Sequence, residues 1–165
     1  MSYSKPGAMN KYGQISVQSN ATDASPHRLI QMLLEGAMEK IAIAKGHLVR
    51  GEIQPKGQLI GWAISIISGL RASLDMNAGG DIAHNLNDLY DYMSRRLLHA
   101  NLKNDVTALD EVTALLREVK NAWDTIPKEV QLAHAQAQAQ AQSQAQSTAK
   151  AGGAAALSEP ARAVR

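Results

Sequence analysis

Apolar residues in this chain recur every three to four positions through four successive stretches, and nowhere alternate with period two over a useful length. That pattern narrows the fold most, because a period near 3.6 marks an amphipathic helix and a period of two a half-buried strand. In the first stretch Ile30, Leu33, Leu34, Ala37, Ile41, Ala44 and Leu48 share one face at 100° per residue. Ser25-Pro26 supplies a capping hydroxyl followed by proline at the first helical position. Gly51 is a stop signal. Pro55 opens a second stretch, with Leu59, Ile60, Ala63, Ile66, Ile67, Leu70 and Leu74 aligned.

Asn77-Ala-Gly-Gly80 breaks the pattern as a turn. Asp81 is placed to cap a third helix whose inner face is Ile82, Leu86, Leu89, Tyr90, Met93 and Leu97. Asn104 or Asp105 begins a fourth, aligning Leu109, Val112, Leu115, Leu116, Val119, Trp123 and Ile126, and Pro127 closes it. Helices of roughly 20 residues, about 30 Å each, joined by short breaks, pack most simply as antiparallel neighbours. The expected fold is all-α, an antiparallel four-helix bundle over residues 25–127.

The flanks differ in kind. Residues 1–24 are mostly polar, with Tyr3, Tyr12, Ile15 and Val17 as apolar exceptions, and read as a flexible N-terminal arm. Residues 128–165 contain the Ala/Gln alternation that starts at His134 and runs to Gln146. Both residues favour helix, but the tract has no apolar stripe to bury, so it reads as a disordered or weakly helical low-complexity tail.

Charge and composition remove several function classes. Between Ala24 and Ile126 there are 11 Lys or Arg against 12 Asp or Glu, so the overall charge of +2 comes from the flanks. A nucleic-acid binder carries its basic stripe on the folded part, and none is expected here. The chain has no Cys, which excludes disulfides, thiolate chemistry and Cys-type zinc sites. The N-terminus shows no apolar signal-peptide core, and no apolar run approaches the 20 residues of a membrane span. These features predict a cytosolic protein without membrane insertion.

No catalytic or cofactor constellation is visible. A di-metal bundle needs two inward acidic-x-x-His motifs, and Asp81-Ile-Ala-His84 has no twin. His27, His47 and His99 lie near helix ends as single residues. Gly79-Gly80-Asp81 lacks the Gly-Lys-Ser/Thr of a phosphate loop, and no Gly-x-Ser-x-Gly elbow occurs. Asp88 and Asp91 fit a solvated face, with Arg95 four residues after Asp91. What remains is apolar surface beyond one seam: Met32, Gly36 and Ile43 on the first helix, Trp62 and Ile64 on the second, Tyr92 and Leu98 on the third. Surplus Met, Trp and Tyr on a helical chain without cofactor motifs predict a binder of apolar helices or peptides. A self-associating structural bundle is the rival class.

Three stretches then resemble the flagellar secretion chaperones that escort flagellin. They are Ala24-Ser-Pro-His-Arg-Leu-Ile-Gln-Met-Leu-Leu-Glu-Gly-Ala37, Leu70-Arg-Ala-Ser-Leu-Asp-Met-Asn-Ala-Gly-Gly-Asp-Ile-Ala-His-Asn-Leu86, and Leu89-Tyr-Asp-Tyr-Met-Ser-Arg-Arg-Leu-Leu98 with Ala100-Asn-Leu-Lys-Asn-Asp105. With Tyr12 and Trp123 the likeness runs in order from about residue 10 to 126. His27-Arg28, where acidic residues often follow the Ser-Pro, and the Ala/Gln tail depart from it. The resemblance implies a cytosolic, non-enzymatic chaperone without cofactor. Its implied partners are the disordered C-terminal segment of flagellin and a component of the flagellar type III export gate, with room for weak homodimerisation. It also implies an N-terminal arm around Tyr12 that covers part of the binding surface when flagellin is absent. Together, resemblance and helical projection assign partner contacts to Tyr12 and Ile15 on the arm, to Trp62 and Ile64 on the second helix, to Tyr92, Met93 and Leu98 on the third, and to Trp123 on the fourth.

Overall fold

The computed structural model describes residues 24–155, with side chains described to 149. Five helices follow in order: α1 (Pro26–Val49), α2 (Ile53–Ala72), α3 (Gly80–Lys103), α4 (Val106–Asp124) and α5 (Lys128–Ala155). No strand occurs among the described residues. The chain divides into two units between Thr125 and Ile126.

Local chemistry sets the helix ends of the first unit. The Ser25 hydroxyl accepts from the Arg28 N–H at 3.2 Å, with Pro26 opening α1. At the other end Gly51 adopts φ +73°, the left-handed conformation in which a side chain is strained. Its N–H donates to Leu48 O at 3.0 Å and the Glu52 N–H to His47 O at 2.9 Å, the paired bonds of a Schellman stop. Gly51→Ala is expected to cost about 1–2 kcal/mol, lowering the thermal midpoint by several degrees. Gly51→Asn, better tolerated in that conformation, should cost less. Equal melts for wild type and both variants would show that this turn is not strained.

α2 starts two residues before Pro55, which sits in the first turn, where a missing N–H disrupts no helical bond. Ahead of α3, the Asp75 carboxylate accepts from the N–H groups of Asn77 at 3.0 Å and Ala78 at 2.9 Å. Gly79 follows in a space that admits no side chain, since a Cβ there would lie 2.5 Å from Ala83 Cβ and 2.7 Å from Asp75 O. Gly79, not Asp81, is therefore the capping residue of α3, and Asp81 falls in the first turn. There its charge still complements the helix dipole. Asn104 ends α3 at φ 53°, ψ 43°, and Asp105 caps α4 by accepting from the Thr107 and Ala108 N–H groups at 2.9 and 3.3 Å.

α1 to α4 form a closed ring in which α1 packs on α2, α2 on α3, α3 on α4 and α4 on α1. The register is antiparallel on all four sides. Gly36 lies against Ile66, and Arg71 bonds Asn87 while Lys56 bonds Asn101. Arg96 pairs with Glu111, Lys45 with Asp110, and Gln31 bonds Asp124.

The core takes four residues from each helix: Leu34, Ala37, Ile41 and Ala44 from α1, and Ile60, Ala63, Ile67 and Leu70 from α2. Tyr90, Met93, Leu97 and Ala100 come from α3, and Ala108, Leu109, Val112 and Leu116 from α4. On α1, α2 and α3 the spacing is i, i+3, i+7, i+10, the heptad rhythm of bundle seams. That rhythm corrects the expected inner face of α3. Extended backwards it reaches Leu86 and Ala83, so Ala83 is buried, while Ile82, one step off the seam, is 73% exposed.

The second unit is mainly α5. The Val130 and Gln131 N–H groups donate to Pro127 O, both at 3.1 Å. Residues 128–155 are one continuous helix, where a disordered or weakly helical tail was expected. Ala and Gln explain it: both favour helix, and at 28 residues the segment exceeds the roughly 12–15 that an isolated Ala-rich helix needs.

Candidate functional site

The four seams of the ring differ in chemistry. Between α4 and α1, Lys45 meets Asp110 at 2.6 Å, Lys120 meets Asp124 at 2.6 Å and Glu35 at 3.6 Å, and Gln31 donates to Asp124 at 2.6 Å. Between α4 and α3, Arg96 meets Glu111 at 2.6 Å, and the Tyr92 hydroxyl also donates to Glu111. The hydrogen bond from Tyr92, then that from Arg96, holds the Glu111 carboxyl below the usual carboxylate range, while the bond to Glu111 raises Tyr92. Lys120 is raised chiefly by Asp124, and Asp124 lowered chiefly by Lys120. Glu111 and Asp124 are thus held as carboxylates, and Lys120 and Arg96 as cations, away from the near-neutral poise of an acid–base catalyst. They are exposed surface pairs, of small individual worth. Among the described residues no group of three or more His, Asp or Glu is placed to hold a metal ion. No helix of these residues is long and apolar enough to cross a membrane.

The two flanks of α2 are another kind of surface. From Ile53 to Leu70 the only charged residue is Lys56, and it is buried. α2 therefore shows water a charge-free face. On its α1 side Trp62 stands 59% exposed, with the Lys40 ammonium 5.9 Å from its ring centroid. Ile43 is exposed on the same side, and Ile66 and Gly36 meet beneath. On the α3 side, Ile64 is half-buried and packs on the core. Leu98, 52% exposed, lies on the face of α3 that bears Asp91 and Asn101, seven residues before and three residues after. Asp91 bonds Arg71 of α2, and the Asn101 side chain is the nearest neighbour of Gly57.

Three of the expected contact residues, Trp62, Ile64 and Leu98, thus gather on the flanks of α2. Three others do not. Tyr92 sits on the α3–α4 seam, bonded to Glu111. Trp123 braces the α4–α1 seam, its indole N–H donating to His27 O at 3.0 Å and its ring stacked on His27 at 5.1 Å. Met93, also expected as a contact, is fully buried in the core and offers a partner no surface in this conformation. Tyr12 and Ile15 lie outside the described residues. The exposed Ile53 and Leu102 were missed, as was buried Lys56. The uncharged run from Ile53 to Leu70 was the signal for the first, and heptad counting back from Ala63 would have placed Lys56 on the seam.

Fold and surface together define a small up-and-down helical bundle whose second helix carries an uncharged, apolar-flanked face. Residues 8–130 match the family model described as flagellar protein FliS, and the chain belongs to this family of flagellar secretion chaperones. It is 53% identical over 119 residues to flagellar secretion chaperone FliSB of Pseudomonas aeruginosa, covering 72% of this chain and 94% of the relative. It is 46% identical over 123 residues to flagellar secretion chaperone FliS of Vibrio cholerae, with 74% and 90% covered. It is 49% identical over 116 residues to the FliS of Salmonella typhimurium, with 70% and 86% covered. A crystal structure of a bacterial flagellar chaperone shares the fold at a TM-score of 0.57 and 16% identity, over 68% of this chain and 94% of that one. Most of α5 lies beyond the region matched to the family.

Proposed function

We propose that this chain is a cytosolic chaperone of flagellin. It binds the disordered C-terminal segment of the subunit, prevents premature polymerisation and helps deliver it to a component of the flagellar type III export gate. Family membership sets the context, and one observation carries the reading: α2 runs from Ile53 to Leu70 without an exposed charge, flanked by Trp62 on one side and Ile64 with Leu98 on the other. Such a face accepts an amphipathic segment through apolar anchors. A segment that folds as it binds buries roughly 1,000–3,000 Å² and gives up about 2–5 kcal/mol to ordering, so it can be held firmly and still be released. In this reading residues 25–127 do the binding. Residues 1–24 are an arm that shields part of the surface, and residues 128–165 are a tail outside the binding unit.

The test is calorimetric titration of the chain with full-length flagellin and with flagellin lacking its C-terminal segment. Full-length flagellin should bind, the truncated form should lose most of the affinity, and the isolated segment should gain helicity by circular dichroism on mixing. Equal affinity for both constructs rejects the proposal.

A further inference from the structure

Lys56 is the only buried polar or charged residue among the described residues, with 1% of its surface exposed. It lies seven positions before Ala63 and four before Ile60, on the heptad seam that α2 otherwise fills with aliphatic side chains. Both of its hydrogen-bond partners are neutral: Nζ donates to Asn101 O at 2.9 Å and to Asn104 Oδ1 at 2.6 Å. Asn101 is one of the last four residues of α3, whose carbonyls have no partner within the helix. Asn104 is the left-handed residue at which α3 ends. The ammonium therefore sits at the negative pole of α3 and joins its last turn to the first turn of α2.

Stability does not by itself account for a lysine at this position. Replacing even a buried ion pair by apolar side chains of similar size is often neutral or stabilising, and here no opposite charge compensates the desolvation of the ammonium. A lone polar residue on a seam is a known device for fixing register. Here the register in question is that of α2 on α3: Lys56 lies three residues after exposed Ile53, and its partner Asn101 three residues after exposed Leu98 and next to exposed Leu102. At the opposite end the two helices are joined by Arg71, which donates to Asn87 at 2.7 Å and to Asp91 at 2.9 Å. That pair is exposed to solvent and holds weakly. Of the two links, only the Lys56 clip is buried.

We propose that Lys56 is a positioning residue: by fixing the last turn of α3 against α2 it sets the spacing of the α2–α3 flank, and through it the affinity for the partner segment. This rests on the flagellin reading above. Lys56→Met keeps the length of the side chain and removes its donors. Its expected signature is a split: a melting temperature unchanged or raised, affinity for a labelled peptide of the flagellin C-terminal segment reduced at least ~tenfold, and faster amide exchange at Asn104 and Asp105. A merely structural role would move melting and binding together. Asn104→Gly keeps the left-handed backbone and removes one acceptor, and should weaken peptide binding by a smaller factor. Wild-type silence toward the peptide overturns the functional reading and this proposal with it. Wild-type binding with Lys56→Met at full affinity overturns this proposal alone, as does affinity that falls only in step with stability. A Lys56→Met chain that does not fold passes the decision to Asn104→Gly, whose full affinity overturns the proposal and whose weakened binding supports it.

Discussion

Leu97→Ala is expected to destabilise the bundle by about 2–5 kcal/mol, while Leu98→Ala, one residue along the same helix, should cost well under that. Leu97 is fully buried between Met93 and Ala100 on the α3 seam, so its truncation removes transfer energy and leaves a cavity ringed by the other three helices. Leu98 already has half its surface in water and leaves no cavity. For a domain of this size each 1 kcal/mol moves the thermal midpoint by roughly 4–8 °C, so the two variants should separate by about 10 °C or more. Urea unfolding of both, with the slope compared to wild type, measures the difference as free energy. Equal destabilisation by the two substitutions would mean that the α3 seam has been placed one residue out of register.

How much of this fold the sequence carried depended on which physical signal was in play. The periodicity of large aliphatic residues is a strong one: Leu34, Ile41, Ile60, Ile67, Leu97 and Leu116, each on a stripe read from the sequence, are all buried. Side-chain caps were visible at Ser25 and at Asp105, one of two candidates with Asn104, and both accept the bonds their positions suggest, whereas Asp81 does not cap α3. What escaped were small and ambiguous residues. Ala83, Ala100 and Ala108 are buried, but alanine serves a core and a surface alike, so only the heptad spacing of the assembled bundle singles them out. Ile82 misled only the start of the predicted α3 face, because a large residue outweighs a small one in a hydropathy pattern; Tyr90, Met93 and Leu97 on the same stripe are buried. The same holds at Gly79, where the constraint is a Cβ that would strike Ala83 and Asp75, a tertiary fact with no local signature.

The proposed docking surface was legible in part. Helical projection finds residues beside a stripe, which suffices for Trp62, Ile64 and Leu98, but it does not say which neighbour a flanking residue will meet. Tyr92 projects in the same manner and Trp123 lies on the aligned stripe of its helix, and the structure gives both to polar partners, Glu111 and the His27 carbonyl. The distinction is electrostatic and belongs to the ring as a whole. The seams bordering α4 are laced with ion pairs, whereas α2 has no exposed charge between Ile53 and Leu70. That contrast appears only once it is known which helices are neighbours.

Trp62→Ser is expected to leave the bundle nearly as stable as wild type and to weaken flagellin binding at least about tenfold. In the free chain Trp62 is 59% exposed and contributes a cation–π contact with Lys40 at 5.9 Å. Such a contact is worth about 0.5–1 kcal/mol at an exposed site. Tryptophan and serine have similar helix propensities, so the substitution adds no backbone cost. In a complex the balance reverses, because an aromatic anchor that becomes fully desolvated can carry 2 kcal/mol or more of binding, roughly thirtyfold in affinity. Thermal melts and flagellin titrations on the same preparation separate the two effects. A melting temperature within a few degrees of wild type, together with the affinity loss, places flagellin on the α1 flank of α2. Unchanged affinity would remove Trp62 from the binding surface and leave the α3 flank, with Ile64 and Leu98, to carry it. An unfolded variant would show instead that this exposed ring supports α1 against α2 and is part of the fold.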